Sequence, residues 1–282
     1  MIICRTIREV REAVASEKSS DKTVSLVPTM GALHEGHLSL IETAKRESDA
    51  VVVSIFVNPT QFAPHEDFDT YPRNEAEDIK KCREAGVSIV FIPAPDEIYD
   101  EKNYYSIQID QLNEHMDGKS RPGFFEGIVQ VVNKFFNIIE PDIAVFGQKD
   151  IQQYLILTQM VKEFNHPIRL ISSPTVRAPD GLALSSRNAY LSREERVLAP
   201  SLYRALLYIE KNIRGGVHTP KMLISHQWSE LEAKGFKVDY LGVYSVRTLQ
   251  PVETVMEESQ YTIAGAVYLG KTRLIDNLML KL

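Results

Sequence analysis

His34 and His37 stand three residues apart in the segment PTMGALHEGH (28–37), between an apolar run and the start of a helical pattern. That spacing puts both imidazoles on one face of a first helical turn. Backbone N–H groups at a helix N-terminus point at an anion, and the macrodipole favours negative charge there. Gly31 and Gly36 let the main chain approach a ligand with no Cβ in the way. Two imidazoles so placed can donate hydrogen bonds to phosphate oxygens, and one can stabilise charge on a departing pyrophosphate. HEGH is not the zinc motif HExxH, whose histidines are four apart. Two nearby histidines in isolation are more often surface or structural residues; the strand–loop–helix context reverses that reading.

Three further segments carry polar groups suited to the same chemistry. In VNPTQF (57–62), Asn58 and Gln61 can hydrogen-bond a hydroxyl or carboxylate, while Asn-Pro also builds a turn. DFDTYPR (67–73) adds charges whose role does not follow from spacing. In FGQKDIQQY (146–154), Lys149 lies where a cation reaches phosphate, and Gln153 is one turn into a helix and points back toward a cleft. Asp150 either caps that helix or binds ribose hydroxyls. In DGLALSSRN (180–188), an Asp-Gly turn precedes Ser185, Ser186 and Arg187. Hydroxyls, backbone N–H groups and a guanidinium fork suit a polyphosphate, although a loop with a helix cap has the same composition. GAVYLGKT (265–272) matches the phosphate-loop pattern GxxxxGK[ST], but the residues after it alternate like a strand where that motif needs a helix. A structural turn between two strands is expected there.

The elements that must position these groups alternate. Strands are expected at 23–28, 50–57, 88–93, 142–147 and 168–173. Helices are expected from residue 38 and over 75–85, 127–139 and 151–164. AVVVSIFV (50–57) is almost uniformly apolar, as a strand buried on both faces of a parallel sheet must be. This rhythm predicts a Rossmann-like, doubly wound α/β domain, which binds ligands at the carboxyl ends of its strands near the topological switch point. Beyond about residue 175 the texture changes. Helices over 193–213 and 220–234 precede strands at 238–246, 261–269 and 273–280, which predicts a smaller C-terminal α+β domain. The expected division is therefore 1–175 and 176–282.

Composition narrows the partners. The 282 residues carry a formal net charge of −6, without the basic field of a nucleic-acid binder. Cys4 and Cys82 match neither a disulfide framework nor a zinc spacing and are expected to be reduced. The first residues lack the apolar core of a signal peptide, and the longest apolar runs are too short to span a bilayer. A soluble cytoplasmic protein with no nucleic-acid or membrane partner is expected.

The ordered segments PTMGALHEGH, VNPTQF, EDFDTYPR, FGQKDIQQY and DGLALSSRN, followed by RLIDN (273–277), resemble the pantothenate synthetase family over nearly the whole chain. The resemblance implies a nucleotidyltransferase fold akin to class I aminoacyl-tRNA synthetases, with HxGH in the place of their HIGH motif and the SSR loop in that of KMSKS. It implies a homodimer that uses ATP and magnesium, forms pantoyl-adenylate and pyrophosphate, and lets β-alanine displace AMP. It makes His37 catalytic, with His34 and Lys149 on the phosphates. Met30, Gly31, Ala32, Leu33, Glu35 and Gly36 line the ATP site with the two histidines. Gly147, Gln148, Asp150, Val176, Leu184, Ser185, Ser186 and Arg187 complete that site. Gln61 and Gln153 hold pantoate, Gln61 also lies near β-alanine, and Asn58 and Arg121 are further substrate-binding candidates. Asp78 is a candidate magnesium-associated residue, and the C-terminal domain a lid. Phe124 stands where the family often has histidine, and Ala178 where an acidic residue is common. Two alternatives stay open: a nucleotidyltransferase of the same superfamily acting on another small acid or phosphate, and a non-catalytic nucleotide-binding regulator.

Overall fold

A computed structural model describes residues 1–64, 66–102 and 104–282. In chain order the elements are β1 (Ile2–Cys4), α1 (Ile7–Lys18), β2 (Val24–Thr29), α2 (Glu35–Glu47), β3 (Ala50–Ile55), α3 (Glu75–Glu84), β4 (Ile89–Phe91) and α4 (Pro95–Ile98). Then come α5 (Met116–Ser120), α6 (Phe124–Ile139), β5 (Ile143–Gly147), α7 (Ile151–Glu163) and β6 (Arg169–Ser173). The chain closes with α8 (Arg193–Leu198), α9 (Ser201–Arg214), α10 (Lys221–Ala233), β7 (Lys237–Ser245), β8 (Gln260–Leu269) and β9 (Thr272–Lys281). It divides into two compact units. One comprises Met1–Gln108, Pro122–Gln148 and Ile156–Pro174; the other comprises Ile109–Arg121, Lys149–Leu155 and Thr175–Leu282.

In the first unit the described strands form one parallel sheet in the order β1-β4-β3-β2-β5-β6. Every residue of β3 is buried, because helices cover both faces of the central strands. Strand order reverses between β2 and β5, which makes that gap the switch point. Pairing of β2 with β3 runs to Thr29↔Ile55, whereas pairing with β5 stops at Leu26↔Ala144. Pro28 has no N–H to donate to a ladder, so β2 and β5 part before their carboxyl ends. β1 and α1 were not anticipated. A strand of three residues shows no periodicity, but α1 carries a legible start. The Thr6 side chain accepts from the Glu9 N–H, and the Glu9 carboxylate accepts from the Thr6 N–H.

In the second unit β7, β8 and β9 form an antiparallel sheet. Leu202, Leu206 and Ile209 of α9 and Leu231 of α10 pack with Val243, Ile263, Leu274 and Leu280 of the strands. The single helix expected over 193–213 is two, because Pro200 interrupts the hydrogen-bond ladder and precedes α9. GAVYLGKT lies in the β8–β9 hairpin, with Gly270 at φ 56° in the turn, so the phosphate-loop pattern is a coincidence of composition, as its context predicted.

Both cysteines are free and buried. Burial, with a smaller contribution from the nearby Asp78 charge, pushes the Cys82 thiol up to about 12. Burial and then Glu9 push Cys4 up to about 11. Since the thiolate is the nucleophile, both cysteines should resist a thiol-directed dye in the native protein at pH 8 and react once denaturant unfolds it. Labelling followed by mass spectrometry checks this, and prompt native labelling at either residue would contradict it.

Candidate functional site

At the end of β2 the backbone enters the left-handed region twice in succession, at Gly31 (φ 83°) and Ala32 (φ 50°). This turns two N–H groups onto one carboxylate of α3. Ala32 N lies 2.9 Å from Asp78 Oδ2, and Leu33 N lies 2.7 Å from Asp78 Oδ1. A Cβ at Gly31 would sit 2.9 Å from Asp78 Oδ2 and 3.1 Å from Ile55 Cγ2, so glycine answers both the positive φ and the close approach. One turn further along α3, the Lys81 ammonium donates to the Leu33 carbonyl at 2.8 Å. Thr29 Oγ1 donates to the Ser54 carbonyl and accepts from Gly31 N. The loop before the histidines is thus held from β2, β3 and α3.

His34 is the N-cap of α2, and its Nδ1 accepts from Gly36 N at 3.1 Å. His37 Nδ1 accepts from His34 N at 3.3 Å, which closes a reciprocal capping pair. The two ring centroids lie 4.2 Å apart. A Cβ at position 36 would come within 2.8 Å of the His34 ring, so Gly36 is what lets that ring fold over the helix end. With both Nδ1 atoms accepting amide bonds, each neutral ring carries its proton on Nε2. The pair therefore presents N–H donors beside the positive end of the α2 dipole.

The turn after β3 is organised by Asn58, which is 1% exposed. Its Nδ2 donates to Gln61 Oε1 and to the Gly127 carbonyl, both at 3.1 Å. Its Oδ1 accepts from Tyr99 at 2.8 Å and from Thr60 Oγ1 at 3.0 Å. Asn58 is a candidate substrate contact, and both sides of its amide help to build the turn. Gln61 is presented by that turn, and its Nε2 reaches Met30 Sδ at 2.9 Å. Gly127, which the sequence did not single out, makes this packing work. A Cβ there would lie 2.4 Å from the Thr60 carbonyl oxygen. Met30, the histidine loop and Gln61 all follow strand ends of the first unit; Gly147 ends β5 and Gln148 follows it.

The remaining candidates belong to the second unit. Lys149 and Asp150 lie in a 3-10 turn that runs into α7, with Lys149 Nζ 3.9 Å from Asp150 Oδ1. Asp150 thus occupies the turn before the helix. Gln153 is half-buried on α7. Its neighbour Gln152, missed in the sequence, is 2% exposed and donates at 2.9 Å to the carbonyls of both Leu112 and His115. It thereby anchors the segment that leads through α5 to Arg121. Arg177 and Ala183 form a β-bridge, and Leu184 N donates to the Val176 carbonyl at 3.0 Å. This hairpin delivers Ser185, whose hydroxyl accepts from Arg187 N at the start of a 3-10 turn that includes Ser186 and Arg187.

No group of three or more His, Cys, Asp or Glu side chains among the described residues is arranged to hold a metal ion. Asp78, the magnesium candidate, is 2% exposed, and both its oxygens accept amide hydrogen bonds. Its observed task is to shape the loop.

The family model described as pantoate-beta-alanine ligase matches residues 2–279. The chain belongs to this family. It is 48% identical over 280 residues to a pantothenate synthetase of Pseudomonas fluorescens, covering 99% of this chain and 97% of that one. It is also 48% identical over 284 residues to one from Desulfitobacterium hafniense, covering 100% and 99%. A crystal structure of the pantothenate synthetase of Thermus thermophilus matches with a TM-score of 0.90 at 41% identity, over 99% of both chains. The Francisella tularensis pantoate-β-alanine ligase, solved with β-γ ATP and β-alanine, matches with a TM-score of 0.82 at 34% identity, over 99% and 97%. The chain is accordingly an enzyme, a ligase of the pantoate-β-alanine ligase family.

The Asp78 contacts generate a test. Asp78→Ala leaves the Ala32 and Leu33 amides without their acceptor and should lower the unfolding free energy by about 2–4 kcal/mol in denaturant melts. The concentration of magnesium that half-activates the residual reaction should not move. A shift in that concentration with stability intact would restore Asp78 as a metal residue.

Proposed function

We propose that this ligase joins pantoate to β-alanine, with cleavage of ATP, through a pantoyl-adenylate. The observation that carries the reading is the start of α2. The Nδ1 atoms of two histidines accept amide hydrogen bonds at a helix N-terminus beside the switch point of a parallel sheet, on a loop shaped by Asp78, and each neutral ring carries its proton on Nε2. The ligand set of the Francisella relative supports ATP and β-alanine as substrates.

In the proposed first step a pantoate carboxylate oxygen attacks the α-phosphorus. The bond to the bridging oxygen breaks, and its electron pair leaves with pyrophosphate. Both reactants are anions, so the chemistry needs positive potential and orientation more than an enzyme nucleophile. His34, His37 and the α2 N-terminus stabilise the charge that collects on pyrophosphate. Lys149, Ser185, Ser186 and Arg187 act on the same phosphates, and Gly147 to Asp150, Val176 and Leu184 line the nucleotide. Gln61, held by Asn58 and Met30, and Gln153 orient pantoate, with Arg121 as a further contact. In the second step the β-alanine amine attacks the acyl carbon, AMP leaves with the bond electrons, and the amine loses a proton. Closure of the C-terminal domain as a lid keeps water from the adenylate.

Magnesium enters only as the companion of ATP. No step here passes through the ion. We place the enzyme in the cytoplasm as a homodimer; no helix of the described residues is long and apolar enough to cross a membrane.

Full-length protein with ATP, magnesium, pantoate and β-alanine should release AMP, and His37→Ala should lose at least about a hundredfold in kcat, the scale of one transition-state donor. Exchange of labelled pyrophosphate into ATP should require pantoate and not β-alanine. Product formation without that exchange would sink the two-step order. A stable adenylylated product in place of AMP would favour a nucleotidyltransferase, and ATP binding without turnover a regulator.

A further inference from the structure

Asp276 and Asn277 are adjacent on β9 and are 4% and 1% exposed. Polar side chains this deeply buried need partners. Neighbouring residues of a strand point to opposite faces, and these two reach different segments of the second unit.

Asp276 binds Arg177 through two hydrogen bonds, with Arg177 Nη2 2.8 Å from Asp276 Oδ1. The same guanidinium donates to the Gly181 carbonyl at 3.1 Å, across the hairpin that begins at Val176, and lies 3.7 Å over the Tyr203 ring. Asp276 Oδ1 also accepts from Asn277 N at 2.8 Å. A buried ion pair contributes little net stability compared with apolar packing, but its bidentate geometry fixes register. What it registers is the hairpin that runs into Leu184–Arg187. Asn277 Nδ2, on the other face, donates to the Lys149 carbonyl at 2.8 Å. That carbonyl belongs to the turn that carries the Lys149 ammonium. Arg273, four residues before Asn277 and on its face, is ion-paired at 2.6 Å with Asp117 and at 2.7 Å with Asp239. Burial opposes its charge, yet these carboxylates hold its proton more tightly than usual. One strand therefore ties down the 109–121 segment, the turn of Lys149 and the hairpin before Ser185.

We infer that Asp276 and Asn277 are positioning residues for phosphate handling: Asn277 sets the turn of Lys149, and Asp276, through Arg177, sets the hairpin that delivers Ser185–Arg187. This rests on the proposed role of Lys149 and Ser185–Arg187 toward ATP. Positioning and general scaffolding have different consequences for binding. A scaffold defect weakens every nucleotide, whereas a misplaced Lys149 weakens only those bearing the phosphates it meets.

Calorimetric titration of the full chain with ATP and with AMP tests the inference. Asn277→Asp keeps the shape and removes the donor. It should weaken ATP about tenfold, the scale of one charge-assisted contact, and leave AMP within about twofold. Lys149→Ala should show the same selectivity, and the double variant should bind ATP no more weakly than Lys149→Ala alone. Asp276→Asn should behave likewise in a cycle with Arg187→Ala. Asn277→Ser, which retains a hydroxyl donor, should recover part of the loss, and it replaces Asn277→Asp in the cycle should that variant fail to fold. Equal losses for ATP and AMP, or losses that add in the double variants, would overturn the inference. Native ATP affinity in both Lys149→Ala and Arg187→Ala would instead overturn the functional reading beneath it.

Discussion

A parallel sheet delivers the carboxyl ends of all its strands to one edge, and at the switch point two of those ends diverge. In the first unit this is the constraint from which the rest follows. β2 and β5 share only the pairs at Ser25 and Leu26, and Pro28 cannot extend the ladder. The chain after β2 must therefore leave the sheet as irregular backbone at the place where such folds bind ligands. Irregular backbone exposes N–H and C=O groups that have no strand partner, and these must be satisfied by something.

Polar side chains answer that demand, several of them by binding backbone directly. Asp78 takes two amides of the 31–33 loop, and Lys81 takes its carbonyl. Asn58 takes the Gly127 carbonyl while it holds Gln61. In the second unit Gln152 takes two carbonyls of the 109–121 segment, and Asn277 takes that of Lys149. Each such bond adds only about 1 kcal/mol net, but an abandoned partner costs about 1–3 kcal/mol. The arrangement therefore does more to exclude other loop conformations than to raise stability. Preorganised loops are what an enzyme of this family needs, because two anionic reactants must be aligned before any bond changes.

The histidine pair shows the same dual use of polar groups. Each Nδ1 accepts an amide hydrogen bond at the start of α2, and that use places the proton of each neutral ring on Nε2. Gly36 and Gly31 are required by the space that His34 and Asp78 occupy, so the loop, its cap and its anchor form one interlocked unit. Substituting any of them disturbs the donors at the helix end even where no ligand is touched.

By itself the sequence determined the alternation of strands and helices, the doubly wound class, the helices-then-strands ending and the turn hidden under a phosphate-loop pattern. Periodicity and turn chemistry are local, and AVVVSIFV or the TRLIDNLMLKL alternation can be read without knowing any neighbour. It also exposed the segments whose side-chain types suit phosphate binding. Only the tertiary structure decided which polar residues hold backbone, and where. Asp78 and Asn58 look like site residues in the chain and are seen here to hold loop backbone, while Gly127, Gln152, Asp276 and Asn277 gain their roles from partners 34 to 128 positions away. A side chain's hydrogen-bonding capacity is written in its identity, but its partner is set by packing between distant segments, and no local pattern encodes that.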